Sequence, residues 1–464
     1  MSHPLETALR ALCERVAGVS WEALPAAAQR AARRIYIDDL GAMLAGSLAE
    51  ELCGMRGDWA KPAGRAAVDA SDGITFLAPG FPRGDLIHAC LHNGTSGAGP
   101  EIAEGYRFAT AHAGVYTLPV VLALGERDGK SGAKVLAAMV AGYEAAACCG
   151  VAFRLPPHVH PHGPWGLIGA SVSAAHLAGG DANAIYRAMN VALGLLPGAA
   201  WDVAMAGGNT RDTWTGFGAV VASVIPNLVR FGYQAPLAGI EQALRDVLQS
   251  GYDLDKLVKP EHDGWAVENN YHKRFSCVGF IPPVIEAMEQ AVPEAPIDPS
   301  RIVSIEVEVP GAAERLSNRT PDTPVASRFS IPFCVGVYLT TGTVAPASHS
   351  RAALSDPVIR DLCSRVSVYE GKDMPHPYSN QRSARVTIRF VDGSERSAYC
   401  PNARGDYSNP LTDAELSEKF IRVTVPIFGG AGAKAADAAW GFPSEPDVRT
   451  FMSRLAALGK DGRS

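Results

Sequence analysis

A glycine-rich stretch at residues 92–114 concentrates side chains that could do chemistry. It contains Glu101, Glu104, Tyr106, Arg107 and His112 within a dozen positions. Carboxylates, a phenol, a guanidinium group and an imidazole can bind ions or transfer protons. Because loops between rigid helices often carry binding and catalytic groups, this stretch is a candidate active-site loop. Taken alone, it fits a solvated charge cluster equally well.

A second candidate is the histidine-rich segment at residues 158–166. It carries His158, His160 and His162, with prolines at positions 156, 157, 161 and 164. Prolines favour an extended backbone, in which alternate side chains share a face and three histidines could approach a metal. A mononuclear site needs converging ligands, and no further ligand pattern lies nearby. We therefore favour acid–base chemistry by one of these histidines at the start of the following helix, since an imidazole titrates near neutral pH, and predict no metal site.

Two cationic segments complete the set. Arg211 follows Gly207-Gly208 at a predicted helix start, where free backbone N–H groups favour an anion. Lys273 belongs to a basic pair near residue 270, which taken alone fits a solvated charge pair. Neither a GxGxxG nor a GxxxxGK[ST] motif is present, so the sequence gives no support for a dinucleotide or P-loop site. A cleft lined by these cations with His112 and His160 would suit a small di- or tricarboxylate.

Composition limits the class of protein. The chain has 464 residues, 47% of them hydrophobic and 19% charged, which indicates a globular protein and favours two domains. A net charge of -6 argues against a nucleic-acid partner. We expect neither a signal peptide nor a membrane-spanning segment. Nine cysteines without a CxxC pair indicate reduced thiols in a cytoplasmic protein.

Helical periodicity dominates the first 270 residues. Apolar side chains recur at helical spacing, and strand alternation is absent. The predicted helices cover residues 5–19, 26–46, 84–98, 116–126, 131–149, 166–180, 184–195 and 215–231. Within the second helix we expect one of Asp38 and Asp39 to be a cap or a salt-bridge partner and the other to be a solvated charge, because neighbouring helical side chains diverge.

The pattern changes near residue 300. Residues 301–309 and 385–391 alternate apolar and polar, and Asp392-Gly393 favours a hairpin to a return strand. Helical segments are predicted at 332–341, at 356–365 and after the Thr412 cap. We predict a mainly α protein with two domains. Residues 1–269 and 404–464 form a large all-helical domain built from both chain ends, and residues 270–403 form a smaller α+β lid domain.

The order and spacing of the motifs resemble the MmgE/PrpD family, which includes 2-methylcitrate dehydratase, cis-aconitate decarboxylase and iminodisuccinate epimerase. The resemblance covers nearly the whole chain. Its matching segments are residues 38–46, 93–95, 112–115, 160–163, 207–211, 273–275, 328–333 and 410–412.

The resemblance implies an active site between a helical domain and a lid, in a homodimer that uses no organic cofactor and has no general metal requirement. It implies acid–base chemistry on a small polycarboxylate by the catalytic groups His112, His160 and Lys273. Arg211 replaces a family lysine and keeps the charge without a proton-transfer role. Glu101 and Glu104 join the catalytic set. Tyr106, Arg107 and His162, together with Arg211, are assigned to substrate binding.

The departures from the family predict a different substrate or reaction. The acidic run Asp-x-Asp-Asp of related dehydratases and decarboxylases reads Glu101-Ile102-Ala103-Glu104 here, so one acid is missing. His162 replaces a threonine, and Pro282 replaces a histidine. We expect a cofactor-independent lyase of dehydratase or decarboxylase type. The alternatives are an isomerase or epimerase that uses the same proton abstraction, and a non-catalytic member that binds an anion or acts as a scaffold.

Overall fold

The computed structural model describes residues 3–59, 73–109, 111–259, 264–374 and 382–461. Helices dominate, as the apolar periodicity predicts. The longer helices are Pro4–Ala17, Ala26–Gly46, Glu50–Trp59, Leu86–Ala98, Ala113–Asp128, Gly132–Ala152, Pro164–Leu177, Ala182–Leu193, Thr210–Arg230, Pro282–Ala291, Ile331–Thr341, Pro357–Ser364, Asp413–Phe428, Gly432–Trp440 and Val448–Asp461. Shorter α-helical segments are Trp201–Met205, Leu237–Gln242, Asp255–Val258, Gly311–Glu314, Pro324–Arg328 and Arg351–Ser355.

The buried apolar side chains form two clusters. The first contains residues from Leu5 to Val267 together with residues from Phe420 to Leu455, because helix Asp413–Phe428 packs on helix Ala26–Gly46. The second lies mainly between residues 275 and 400. The division into domains at residues 269 and 403 stays a prediction.

Small residues allow two helices of the first cluster to approach closely. Helix Leu86–Ala98 crosses helix Thr210–Arg230 at Gly94 and Gly216. A Cβ atom added to Gly94 would lie 2.6 Å from the Gly216 Cα atom. This contact fixes the first turn of the later helix, which carries Arg211, beside the loop that follows Ala98.

A four-stranded sheet belongs to the second cluster. Its order is Val366–Glu370, Ile302–Val309, Ala384–Phe390 and Glu395–Cys400. The first pair is parallel and the other pairs are antiparallel. Ile305 lies opposite both Val366 and Ile388, and helix Pro282–Ala291 covers the two later strands.

Short strand pairs complete the fold. Gly105–Tyr106 pairs with Asn270–Tyr271, and Ile74–Thr75 pairs with Arg83–Gly84. The first pair brings the segment around Lys273 to the candidate loop. Among the described helices, Gly132–Ala152 is long and apolar enough to cross a bilayer, but its apolar window is entirely buried in the protein.

Candidate active site

The loop that follows helix Leu86–Ala98 is held from both sides. The Ser276 hydroxyl donates a hydrogen bond to the Pro100 carbonyl. Lys419 Nζ donates to the Ile102 carbonyl over 2.7 Å. Glu101 between them has a backbone φ of +51°, a conformation that costs a non-glycine residue about 1 kcal/mol. These anchors therefore hold Glu101 in a position that its backbone alone disfavours.

The Glu101 carboxylate sits between two buried cations. Lys273 Nζ lies 2.6 Å from Glu101 Oε2, and Arg211 Nη2 forms an ion pair with Glu101 Oε1. Glu101, Arg211 and Lys273 are all at most 4% exposed. The structure brings both cations to the candidate loop, where their shared partner is the protein's own carboxylate.

The two cations have further partners that fix their orientation. Arg211 Nη1 donates to the Ala98 carbonyl over 2.8 Å and lies 3.1 Å from Asp212 Oδ1. Lys273 Nζ also donates to the Glu101 backbone carbonyl over 3.2 Å. Burial lowers the pKa of the Lys273 ammonium to about 8, whereas its ion pair with Glu101 favours the protonated form.

Three histidine rings meet in a small pocket beside this ion-pair cluster. The ring centroids of His112 and His162 are 5.2 Å apart, and those of His160 and His162 are 4.3 Å apart. The free volume is about 20 Å³, enough for about one water molecule, so a larger ligand must displace side chains. The other lining residues are Glu101, Pro161, Trp201, Arg211, Tyr271, Val278, Gly279, Phe280, Phe329 and Arg382.

The protonation state of His112 follows from its hydrogen bond. Its Nδ1 atom lies 2.5 Å from the backbone carbonyl oxygen of Glu104. A carbonyl only accepts, so Nδ1 carries the proton and Nε2 has a free lone pair. Burial, reinforced by the charge of Lys273, lowers the pKa of His112 well below its usual value. His112 is therefore a neutral imidazole with an unprotonated Nε2.

His160 has the opposite arrangement. The backbone N–H of His162 donates to His160 Nδ1 over 3.2 Å, so the proton of the neutral ring is on Nε2. The ring packs against Trp201, with centroids 4.2 Å apart. Burial lowers the pKa of His160 to about 3. The pocket thus holds one imidazole that can accept a proton and one that can donate a proton.

Glu104 does not line the pocket with its side chain. Its carboxyl accepts hydrogen bonds of 2.8 Å from the Gly114 N–H and from the Tyr143 hydroxyl. A Cβ atom on Gly114 would overlap Asp39 Oδ2 and lie 2.8 Å from Glu104 Oε1, so the two acids converge there. Burial raises the pKa of Glu104 to about 8, and burial with the Glu104 carboxyl raises that of Asp39 well above its usual value.

These contacts correct one expectation about the paired aspartates. Asp38 is a salt-bridge partner, 2.5 Å from Lys419 Nζ, as predicted. The expectation that the other aspartate is solvated is wrong, because Asp39 is 0% exposed. The loop folds over the helix and buries Asp39 against Glu104, whose backbone N–H lies 3.4 Å from Asp39 Oδ1. The two acids together retain a proton at neutral pH.

Tyr106 and Arg107 lie outside the histidine pocket. Tyr106 is fully buried and packs edge to face on Tyr143, with ring centroids 6.4 Å apart. Arg107 forms an ion pair with Asp406 and lines a neighbouring cavity behind Tyr271. Neither side chain is among those that line the pocket. Of the residues assigned to substrate binding, the structure brings only Arg211 and His162 to the pocket.

The three histidines of the 158–162 segment do not share one environment. His158 is exposed, whereas His160 and His162 are buried with their rings edge to face. Within the described part of the chain, no group of three or more histidine, cysteine or acidic side chains is arranged to hold a metal ion. The extended segment therefore delivers two imidazoles to the pocket and leaves the third outside it.

Sequence reasoning missed Arg382, which lines the pocket from the start of strand Ala384–Phe390. No motif marks it, because it precedes a strand whose alternating pattern predicts only packing. Tyr271 and Trp201 are further aromatic lining residues that were missed. Their proximity to the catalytic candidates depends on tertiary contacts.

Two protein-family models match long parts of the chain. A model of the MmgE/PrpD N-terminal domain matches residues 10–248. A model of the MmgE/PrpD C-terminal domain matches residues 275–440. A comparison with curated proteins finds no significant match. Because the two domain models together cover most of the sequence, the chain belongs to the MmgE/PrpD family.

Proposed function

We propose that the protein is a lyase of the dehydratase or decarboxylase type that acts on a small carboxylate by acid–base chemistry. Membership of the MmgE/PrpD family indicates a dehydratase-type enzyme. The proposal rests on the hydrogen bonds of two neutral imidazoles in the same pocket. They indicate opposite tautomers, with the proton on Nδ1 in His112 and on Nε2 in His160. Such a pair can remove one proton and deliver another without changing the total charge of the site.

His112 acts as the base. Its Nδ1–H is held by the Glu104 carbonyl, so the lone pair of Nε2 takes a proton from the carbon next to a substrate carboxylate or carbonyl. The ring then becomes an imidazolium whose Nδ1–H bond is already in place. The electron pair from the broken C–H bond forms an enolate-like intermediate, whose charge nearby cations stabilise.

His160 acts as the acid. In a dehydration, the electron pair of the enolate expels a hydroxyl group from the adjacent carbon as the His160 Nε2 proton is transferred to it, and water leaves. In a decarboxylation no C–H proton is removed: carbon dioxide leaves with cleavage of the C–C bond, and the resulting carbanion takes the Nε2 proton of His160. After a dehydration His112 returns its proton to solvent, and after either reaction the imidazolate of His160 is reprotonated before the next turnover.

The Glu101 cluster supports a carboxylate as the group recognised. Arg211 and Lys273 hold a carboxylate between them, although it belongs to the protein. The pocket beside it is smaller than any di- or tricarboxylate. A polycarboxylate substrate would therefore enter only if lining side chains move, and Glu101 is the one whose backbone conformation is disfavoured.

Hydrogen exchange in D₂O tests the proposal. The full chain is incubated with malate, citrate or cis-aconitate, and deuterium at the carbon next to a carboxylate is followed by NMR. We expect H112N, which removes the base, to slow exchange by roughly 100-fold or more, and H160N, which removes the acid, to slow product formation by a similar factor. The matched control H158N changes an exposed histidine of the same segment and should behave like wild type. Equal rates for H112N and wild type would refute the role of His112.

Product analysis separates the related alternatives. Loss of water or carbon dioxide identifies a lyase, whereas a product of equal mass identifies an isomerase or epimerase. Carboxylate binding without exchange or turnover would identify a non-catalytic, anion-binding member.

A further inference from the structure

Arg382 is a buried cation that no described residue neutralises. It is 6% exposed, and its Nη1 atom is buried without a hydrogen-bond partner among the described residues. Its guanidinium group lies 4.7 Å from the Phe280 ring centroid and 5.2 Å from that of Tyr271. The aromatic rings fix its position, but they do not supply a counter-charge.

The other cations near the pocket are paired. Arg211 and Lys273 share the Glu101 carboxylate, and Arg107 pairs with Asp406 behind Tyr271. Within the described ranges, the ion pairs include none for Arg382. A buried guanidinium without a partner is costly, and an anion that reached it would offset that cost. The position of Arg382 in the pocket lining places such an anion beside His112 and His160.

We propose that Arg382 binds a carboxylate of the substrate and thereby holds the reacting carbon beside the histidines. This inference rests on the proposed function and narrows its substrate class. With Glu101 in place, the pocket has one uncompensated cation. Charge balance therefore favours one carboxylate at Arg382 once lining side chains move to admit it, and a second carboxylate binds only by displacing Glu101 from Arg211 or Lys273.

Gly279 provides the space that Arg382 occupies. A Cβ atom at position 279 would overlap Arg382 Nη1 and would lie 3.3 Å from the Tyr271 hydroxyl oxygen. Gly279 does not have a positive φ, so alanine is compatible with its backbone. The substitution G279A should therefore push the guanidinium aside without removing its charge.

Calorimetric titration tests the assignment. Crotonate, succinate and citrate are titrated into the full chain, with crotonamide as the uncharged analogue of crotonate. We expect R382Q to raise the Kd of the tightest-binding carboxylate on the order of 100-fold, because it removes one partner of a buried charge pair. R382K should lose less, since it keeps the charge but not the planar fork. G279A should also weaken binding.

The matched control is R385Q. Arg385 lies three residues further along the chain, in strand Ala384–Phe390, and pairs with Glu308 over 3.1 Å, outside the pocket lining. We expect wild-type affinity from R385Q and no measurable binding of crotonamide to any variant.

Stability distinguishes ligand binding from a structural role. R382Q removes an unpaired buried charge, so its Tm should equal or exceed that of wild type. A lower Tm by several degrees, an unchanged Kd in R382Q, or failure of all three carboxylates to bind wild type would overturn the proposal.

Carboxylate binding through Arg382 without D₂O exchange would refute the proposed function alone. Exchange with an unchanged KM in R382Q would refute this inference alone.

Discussion

Glu101 and Glu104 lie three residues apart in one loop, and both are buried, yet the protein gives them different electrostatic surroundings. Glu101 is held between Arg211 and Lys273. Glu104 faces the Gly114 N–H, the Tyr143 hydroxyl and the Asp39 carboxyl. Burial alone therefore does not determine the role of a carboxylate. Its role depends on the groups that the tertiary structure brings into contact with it.

The difference divides the loop into two functional parts. The charged carboxylate of Glu101 balances the cations on one side of the pocket. On the other side, burial raises the pKa of the Glu104 carboxyl to about 8, and the Glu104 backbone carbonyl fixes the His112 tautomer. Acids in different environments commonly serve separate roles in enzymes. Substitutions of the two glutamates should therefore have different effects.

The substitution E101Q should have the largest effect on stability. It leaves Lys273 buried without its counter-charge and Arg211 with Asp212 as its remaining acidic partner, and loss of one partner of a buried ion pair typically costs about 3–5 kcal/mol. Urea denaturation at pH 7 measures this loss as a change in the free energy of unfolding. The double variant E101Q/K273M removes one charge of each sign and should recover part of it. An E101Q protein as stable as wild type would show that the ion pairs do not form in solution.

The fold was predictable where its signal is local. The helix predicted at residues 26–46 matches Ala26–Gly46, and the Asp392-Gly393 turn joins the predicted strands. The strand Val366–Glu370 was missed, although its residues alternate. It is short and follows a helix directly, and its only strand partner among the described residues is the distant segment Ile302–Val309. A parallel pairing at such separation leaves no turn signal in the sequence.

The site was predictable by residue type but not by pairing. His112, His160, His162, Arg211 and Lys273 do meet, since each stands in a motif at the end of an element. The pairing of Glu101 with both cations depends on contacts between residues far apart in sequence, and so does the contact of Asp39 with Glu104. The sequence pattern therefore did not predict these partners.

Removal of the Tyr143 hydroxyl should have an intermediate effect. Y143F leaves Glu104 Oε2 without its 2.8 Å hydrogen bond, which typically costs about 1 kcal/mol and up to about 3 kcal/mol. The control is Y36F, because the buried Tyr36 hydroxyl has no hydrogen-bond partner among the described residues. Urea denaturation should show a loss for Y143F only. Equal stabilities of the two variants would show that the Tyr143 hydroxyl does not form this hydrogen bond with the Glu104 carboxyl in solution.

The substitution E104Q should cost least at neutral pH. Glutamine resembles a protonated glutamic acid: its carbonyl can accept from the Gly114 N–H, and its amide can donate to a reversed Tyr143 hydroxyl. We expect a change within about 1 kcal/mol of wild type, in contrast to E101Q. A loss as large as that of E101Q, measured by urea denaturation at pH 7, would mean that Glu104 is ionised in the folded protein.

The pH dependence of this small effect provides the sharpest test. The pKa of Glu104 is raised from 4.5 to about 8 in the folded protein. Below pH 4.5 both states bind the proton. As pH rises from 4.5 to 8, the unfolded chain releases the proton while the folded protein retains it, so wild type loses stability.

E104Q lacks this linkage, and E418Q, which changes an exposed glutamate, keeps it. Between pH 5 and pH 8, the free energy of unfolding of E104Q should therefore increase relative to that of wild type. The free energy of unfolding of E418Q should change with pH as that of wild type does. Parallel curves for all three proteins would show that Glu104 ionises alike in both states.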